Sequence, residues 1–466
     1  MFRSLFSRRG GVAVAAATIG VASLSLAFAG TAGANAYPDN AGTATALIGS
    51  GSQTSYSTMV ALSDLFNGSP GCDLTASTSV ASTLSCGTTP TTPGSSGGEQ
   101  GFTVAAENPY NDFSVQAPAI GSGNGATALE AAGTGSPTQA ISYARASSHK
   151  GNSTDNDVAY AVDGVSWTTF NTVGKKATDQ AKVLTLTSAQ LIAIWNGTLS
   201  CPGKGGVTYT MDWICLGAKT SAPIDVYNAQ TGSGTYSTWS AAAEYSGAAP
   251  GGITCAACEQ GWVANGGSPS SIVTAHENLF ENQMSYISAQ PDAKDAIYFM
   301  SYGKFTTTCT GKTTKVEVCA GTPKTDYTTF GEINGIAASK ATIQAAISGS
   351  GTTFPVTREL YNLYNNSSAT DPANQATLNF IGEDGFLCKS STASDIDPQT
   401  GVDYRTEIEN TIEAQGFFPL DTAGTTIAEG SPTYPGTLTD AQYVANDSGS
   451  TNTGTTGEGF CLVTNG

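Results

Sequence analysis

Short apolar runs alternate along the chain with stretches in which apolar residues recur every three or four positions. The short runs have the length of buried strands, and the longer spacing is typical of helices that pack on a sheet. Strands and helices predicted in alternation define an α/β architecture. The predicted strands lie within residues 44–48, 113–119, 141–148, 157–170, 223–227, 297–305 and 355–364, and the predicted helices within 56–66, 126–132, 187–195, 236–243 and 405–415.

Three of the predicted helices follow a run of Gly, Ser and Thr. The first run covers residues 49–54, the second 121–125 and the third 231–235. Glycine allows the backbone to come close to a ligand, and Ser or Thr hydroxyls add hydrogen-bond donors. A helix N-terminus also offers unpaired amide groups and a partial positive charge, so it attracts anions. Three such turns in one cleft would hold a small oxyanion with few formal positive charges.

Residues 1–36 have the form of a secretory signal peptide. Three Arg precede an apolar stretch from about residue 12 to residue 28, and Ala-Asn-Ala at 34–36 has the form of a cleavage site. We therefore expect a mature chain that starts at Tyr37 and is secreted or extracellular. The first Cys after the apolar stretch is Cys72, so we expect no lipid anchor at the cleavage site, while association with the cell envelope stays open.

The charge of the chain limits its partners. The formal net charge is −18, with 19 Lys and Arg among 466 residues. Nucleic acid requires a basic face, so we expect no nucleic-acid partner. A small anion is not excluded, because local dipoles rather than net charge decide affinity at contact range. No metal-ligand cluster, cofactor motif or nucleotide loop is recognisable, and we expect no cofactor and no metal.

Ten Cys residues suit an oxidising compartment. The two Cys of the C-x-x-C pair at 255–258 are interpreted as a structural disulfide. A zinc or redox site there would need a partner motif or His ligands, and the chain has two His. Spacing suggests four further pairs: Cys72 with Cys86, Cys201 with Cys215, Cys309 with Cys319, and Cys388 with Cys461.

Several segments, taken in order, resemble the phosphate-type substrate-binding proteins of ABC transporters, within the type 2 periplasmic-binding-protein superfamily. The resemblance covers most of the mature chain. Asp163 and Gly164, within one of these segments, are interpreted as a turn at the first crossover between domains. The similar segments are 47–54 (LIGSGSQT), 120–125 (IGSGNG), 143–148 (YARASS), 160–164 (YAVDG), 186–191 with 195–197 (LTSAQL and WNG), 230–235 (QTGSGT) and 354–358 (FPVTR).

The resemblance implies a two-domain fold with a ligand cleft between the domains. Residues 37–163 and 332–466 would form the first domain, and residues 164–331 the second. It also implies a set of ligand-binding residues on the three turns and on the 143–148 loop. These are Ser52, Gln53, Thr54, Ser122, Gly123, Asn124, Arg145, Ser147, Gly232, Ser233, Gly234 and Thr235.

The sequence departs from the family at positions that matter for ligand choice. The best-known phosphate binders carry an Arg and an Asp where this chain has Ala229 and Thr231, and a further Asp near the place of Ser147. An acceptor-only carboxylate rejects fully ionised oxyanions such as sulfate, because lone pairs would face lone pairs. Arg145 is the nearest cation of the matching loop and is expected to hold an oxyanion in a forked arrangement.

The function expected from these features is capture of a small oxyanion, phosphate first, by a secreted monomeric solute-binding protein that serves an ABC permease. Two alternatives stay open. One is an extracellular phosphatase-like enzyme on the same scaffold, and the other is a cell-wall scavenger or adhesin not coupled to transport. We expect no enzymatic activity, because the G-x-S-x-G match at 94–98 lies in a low-complexity stretch rather than between a strand and a helix.

Overall fold

The structure of this protein is a computed structural model. All described residues belong to one compact unit, residues 34–466. The predicted signal peptide, the 94–98 match and the C-x-x-C pair lie outside the described residues. The described residues are 47–69, 71–72, 114–133, 141–148, 155–170, 179–230, 232–241, 279, 287, 290, 293–313, 316–319, 327–348, 351–365, 372–382, 385–388, 395–420 and 461–465.

Helices and strands alternate through the described residues, so the predicted α/β class is confirmed. The helices are α1 (Tyr56–Asn67), α2 (Ser122–Gly133), α3 (Ser188–Trp195), α4 (Gly234–Ala241), α5 (Tyr302–Thr308), α6 (Lys340–Ser348), α7 (Pro372–Ile381) and α8 (Tyr404–Ala414). The strands are β1 (Leu47–Gly51), β2 (Ser114–Ala119), β3 (Tyr143–Ala146), β4 (Asp155–Thr169), β5 (Thr185–Leu186), β6 (Ser200–Pro202), β7 (Thr208–Thr210), β8 (Asp225–Val226), β9 (Ala296–Ser301), β10 (Cys309–Thr313), β11 (Val316–Cys319), β12 (Tyr327–Phe330), β13 (Glu332–Ile333), β14 (Thr357–Asn365), β15 (Phe418–Pro419) and β16 (Leu462–Asn465).

One mixed sheet organises the fold. Its main path runs β10-β11-β12-β4-β14-β3-β1-β2. β1 pairs in parallel with both β2 and β3, whereas β14 is antiparallel to β3 and β4. Because the carboxyl ends of parallel strands meet at one edge, the loops that follow β1, β2 and β3 lie together.

β4 is the central strand of this sheet. Its first part pairs with β14 and its last five residues pair with β9. The strand is continuous from Asp155 to Thr169, so the turn expected at Asp163 and Gly164 is wrong. Pairing explains the difference, because Asp163 faces Arg358 and Gly164 faces Thr357 across the ladder with β14. The division into two domains at residues 163 and 331 stays a prediction.

Most predicted elements correspond to observed ones. Thr187 caps α3, with its side chain accepting from the Gln190 amide while the Gln190 side chain accepts from the Thr187 amide. Trp239, on α4, is buried at 1% exposure and packs against Trp195 with ring centroids 5.1 Å apart. The strand expected over 297–305 is wrong after Ser301, where α5 begins. There the Ser301 hydroxyl accepts from the Lys304 amide and favours a helix start over continued strand.

Two of the predicted disulfides are present. Cys201 bonds to Cys215, and Cys388 bonds to Cys461 on β16. Cys309 and Cys319 lie directly opposite each other on the paired strands β10 and β11. Cys72 is also disulfide-bonded, and its predicted partner Cys86 lies outside the described residues.

Two kinds of feature are absent from the described residues. No helix among them combines the length and the apolar character needed to cross a membrane. The same residues contain no group of three or more His, Cys, Asp or Glu side chains placed to hold a metal ion.

Asp155 is a buried acid at the start of β4. It is fully buried, and neither carboxylate oxygen has a hydrogen-bond partner among the described residues. Burial, followed by the nearby Glu130 and Asp157, raises the pKa of Asp155 to about 7. The folded state therefore binds the proton more tightly than the unfolded state, so the free energy of unfolding falls as pH rises from about 4 to about 7.

Replacement of Asp155 by Asn should remove this pH-dependent cost. At pH 8 we expect Asp155→Asn to unfold at a higher temperature than the wild-type chain, with a free energy of unfolding that is roughly 1–3 kcal/mol larger. At pH 4 we expect no gain in stability. Thermal melts at both pH values measure the effect. Asp179→Asn is the matched control, because a hydrogen bond from Lys182 lowers the pKa of Asp179 and its loss should give no gain at pH 8. Equal melting shifts at pH 4 and pH 8 would contradict the assignment.

Candidate functional site

The three glycine turns meet at one place in the fold. The first follows β1, the second joins β2 to α2, and the third leads into α4. The Gly121 amide donates to the Gly51 carbonyl at 2.9 Å, and the Gly123 amide donates to the Gly232 carbonyl at 3.0 Å. Backbone hydrogen bonds therefore join the second turn to both of the others.

Close packing of the turns depends on glycine. At Gly234 an added Cβ would lie 2.5 Å from the Ser147 hydroxyl and 2.6 Å from the Ser122 hydroxyl. At Gly121 the backbone φ is +96°, and a Cβ would lie 2.8 Å from the Gly232 carbonyl oxygen. A larger residue at either position would hold the turns apart or strain the backbone.

A small cavity lies between the turns. Every lining side chain is neutral, and several carry a hydroxyl or amide group. Apart from the half-buried Gln230, the lining residues are buried. The residues that line it are Ser52, Gln53, Thr54, Gly121, Ser122, Ser147, Gln230, Ser233 and Gly234.

Hydroxyl groups from separate loops contact one another around this cavity. Thr54 and Thr235 have their Oγ1 atoms 3.1 Å apart, and Ser122 and Ser147 have their Oγ atoms 3.2 Å apart. The Ser147 amide donates to Ser122 Oγ at 3.0 Å. These contacts connect the first turn to the third and the second turn to the 143–148 loop.

A buried ion pair lies directly behind the hydroxyls. Arg358 on β14 is 1% exposed, and its Nη2 lies 2.8 Å from Oδ2 of Asp163 on β4, which is fully buried. Arg358 Nη1 donates to Thr235 Oγ1 at 2.5 Å and to the Ser147 carbonyl at 3.2 Å. Nη2 also donates to Thr54 Oγ1 at 3.4 Å. One guanidinium therefore contacts three of the loops that form the site.

Arg145, the predicted cation, lies elsewhere. Its side chain is fully buried and does not line the cavity. The guanidinium donates to the Gly49 carbonyl at 2.7 Å, to the Ser52 carbonyl at 3.2 Å and to Gln116 Oε1 at 2.7 Å. It supports the first turn from behind, so the predicted direct contact with a ligand would require it to leave these acceptors.

The other predicted residues divide between the cavity wall and its support. Seven lie in the lining: Ser52, Gln53, Thr54, Ser122, Ser147, Ser233 and Gly234. Gly123 and Gly232 bond to each other, and Thr235 bonds to Thr54 and Arg358 behind the wall. Asn124 is exposed and donates to the Ile120 carbonyl at the start of its own helix. Whether these residues bind a ligand stays a prediction.

Sequence reasoning missed Arg358, Gly121 and Gln230 as parts of the site. In the sequence, Arg358 ends the 354–358 segment and nothing near it indicates its role, because its partner Asp163 is 195 positions away. Gly121 and Gln230 adjoin predicted site residues, and their contribution follows from the turn geometry. The pairing of β14 with β4 brings the buried Arg358 opposite the buried Asp163.

No family model and no curated protein sequence matches the chain. Solved structures that it resembles include an ABC-type phosphate transport receptor from Vibrio cholerae, with 13% identity over 80% of this chain and 99% of that chain and a TM-score of 0.40. A DING protein gives 15% identity, 81% and 91% coverage and a TM-score of 0.40. PstS from Borrelia burgdorferi gives 12% identity, 80% and 97% coverage and a TM-score of 0.30.

A methyl group at residue 234 should disrupt the cavity. We expect Gly234→Ala to weaken binding of an anion at least tenfold and to lower stability by about 1–3 kcal/mol, since the Cβ would collide with Ser122 and Ser147. Isothermal titration with phosphate and thermal melting measure the two effects. Gly68→Ala is the control, because a Cβ there meets nothing closer than 3.7 Å. Unchanged phosphate affinity in Gly234→Ala would show that the turns do not form the binding site.

Proposed function

We propose that this chain is a secreted solute-binding protein that captures a small oxyanion, phosphate first, in the cavity between the three glycine turns. The observation that carries the proposal is a neutral cavity, lined by hydroxyl, amide and glycine groups, with a buried guanidinium directly behind two of the hydroxyls. Such a cavity offers hydrogen-bond donors from several directions to one small ligand.

Helix geometry supports an anion rather than a neutral ligand. α2 begins at Ser122 and α4 at Gly234, both of which line the cavity, and α1 begins just after the lining residues of the first turn. Amide groups at helix starts lack partners within the helix and carry partial positive charge. The dipoles therefore favour an anion here despite the net charge of −18.

Burial supports tight rather than loose binding. Ser52, Thr54, Ser122 and Ser147 are exposed by 2% or less, so hydrogen bonds to a bound anion would be shielded from water. A hydrogen bond to a charged group contributes about 1.5–3 kcal/mol. Several such bonds in one cavity are enough for micromolar or tighter affinity after the cost of immobilising the ligand.

The lining suits both a fully ionised oxyanion, such as sulfate, and one that carries a proton, such as hydrogen phosphate. The described lining residues include no carboxylate, and the carboxylate of Asp163 is held by Arg358 and by the Gly303 amide. Sulfate would therefore meet no repulsive acceptor, and hydrogen phosphate could donate its proton to a serine hydroxyl. We propose phosphate and sulfate as competing ligands, with coupling to an ABC permease as the role that the ordered sequence segments support.

Titration of the full chain with phosphate and with sulfate tests the proposal. We expect saturable binding of phosphate that sulfate inhibits, and about 10-fold to 100-fold weaker binding by Ser233→Ala, which removes one donor to the anion. Ser240→Ala is the matched control on the same helix, because the Ser240 hydroxyl bonds to the Ser237 carbonyl. Absence of heat and of any melting shift with both anions would reject oxyanion binding.

A further inference from the structure

Arg358 can only donate hydrogen bonds to its neighbours and cannot accept them. A guanidinium has donors and no acceptor, so every hydrogen bond it makes to a hydroxyl uses a lone pair of that hydroxyl. Thr235 Oγ1 at 2.5 Å and Thr54 Oγ1 at 3.4 Å are both in this position. The protons of both hydroxyls are therefore directed away from Arg358.

The contact between the two threonines extends this effect into the cavity wall. Their hydroxyl oxygens are 3.1 Å apart, so one donates to the other. When Thr235 donates, Thr54 Oγ1 accepts from Arg358 and from Thr235 together, and both of its lone pairs are used. Thr54 lines the cavity, whereas Thr235 does not. In this arrangement, the hydroxyl of Thr54 meets a ligand as a donor.

Asp163 fixes the position of the guanidinium. Its Oδ2 accepts from Nε of Arg358 at 3.1 Å and from Nη2 at 2.8 Å, while Oδ1 accepts from the Gly303 amide at 3.2 Å. The Asp163 carboxylate balances the charge of the guanidinium on the side that faces β4. Nη1 and Nη2 remain in contact with Ser147 and Thr54, two lining residues. The positive end of the pair thus faces the cavity.

We propose that Arg358 is a positioning residue that makes the cavity selective for anions, by holding Thr235 and Thr54 in a chain of hydroxyls whose protons run toward the ligand. This inference rests on the proposed oxyanion function. It assigns the selectivity to a residue behind the wall, and it predicts that Thr235 affects affinity without touching the ligand.

Two arginine variants separate this role from simple structural support. Arg358→Gln removes the charge and the fork beside the threonines. Arg405→Gln removes another buried Arg, which bonds to Glu409 at 2.9 Å and to the Leu387 carbonyl at 3.0 Å. We expect both variants to melt at a lower temperature. We expect Arg358→Gln to bind phosphate at least tenfold more weakly, and Arg405→Gln to bind within twofold of the wild-type chain.

Thr235 supplies a second test that does not depend on the stability of the arginine variant. Thr235→Val keeps the shape and removes the hydroxyl, and we expect at least fivefold weaker phosphate binding. Thr235→Ser restores the hydroxyl, and we expect affinity within twofold of wild type. Both variants are measured by isothermal titration with inorganic phosphate on the full chain, with melting curves to confirm folding.

The outcomes distinguish the two proposals. Binding of phosphate by the wild-type chain, with equal affinity in Thr235→Val and Thr235→Ser, would overturn the role of the hydroxyl chain and leave the oxyanion function standing. Equal phosphate affinity in Arg358→Gln and Arg405→Gln would do the same for the arginine. Failure of the wild-type chain to bind phosphate or sulfate would overturn the proposed function and this inference together.

Discussion

Arg358 and Asp163 face each other from the paired strands β14 and β4, with almost no exposure to water. Loss of one member of such a pair leaves a buried charge without compensation, at a cost of about 3–5 kcal/mol. The remaining donors of Arg358 reach the first turn, the 143–148 loop and the start of α4. The arrangement of these loops therefore depends on an interaction in the sheet behind them.

The chain has few positively charged residues, and the guanidinium of Arg358 lies behind the cavity wall rather than in it. It is strongly acidic overall, and the cavity wall contains no formally charged side chain among the described lining residues. On the proposed function, the attraction for an anion comes instead from helix starts, from hydroxyl donors and from the Arg358 guanidinium, whose charge Asp163 balances on the far side. On that proposal, this combination gives a local preference for small anions without a basic surface.

Much of the fold could be predicted from local sequence patterns. The apolar runs located β1, β2, β3 and β14, and the glycine runs located the turns that meet at the cavity. Long-range pairing was beyond those patterns. Asp163 and Gly164 have the composition of a turn, yet the ladder to β14 keeps them extended. Arg145 and Arg358 are both buried arginines, and only their partners, set by strand register, show which one stands behind the threonine hydroxyls.

On the proposed function, a small oxyanion occupies the cavity between the three turns. Difference electron density from crystals of the full chain grown with phosphate tests it most directly. We expect a tetrahedral peak within hydrogen-bond distance of the Thr54 and Ser122 hydroxyls and of the Gly234 amide. An empty cavity in that map would contradict oxyanion binding at this site in either of two cases. In one, the crystals show phosphate bound elsewhere on the chain; in the other, the same chain binds phosphate tightly in solution.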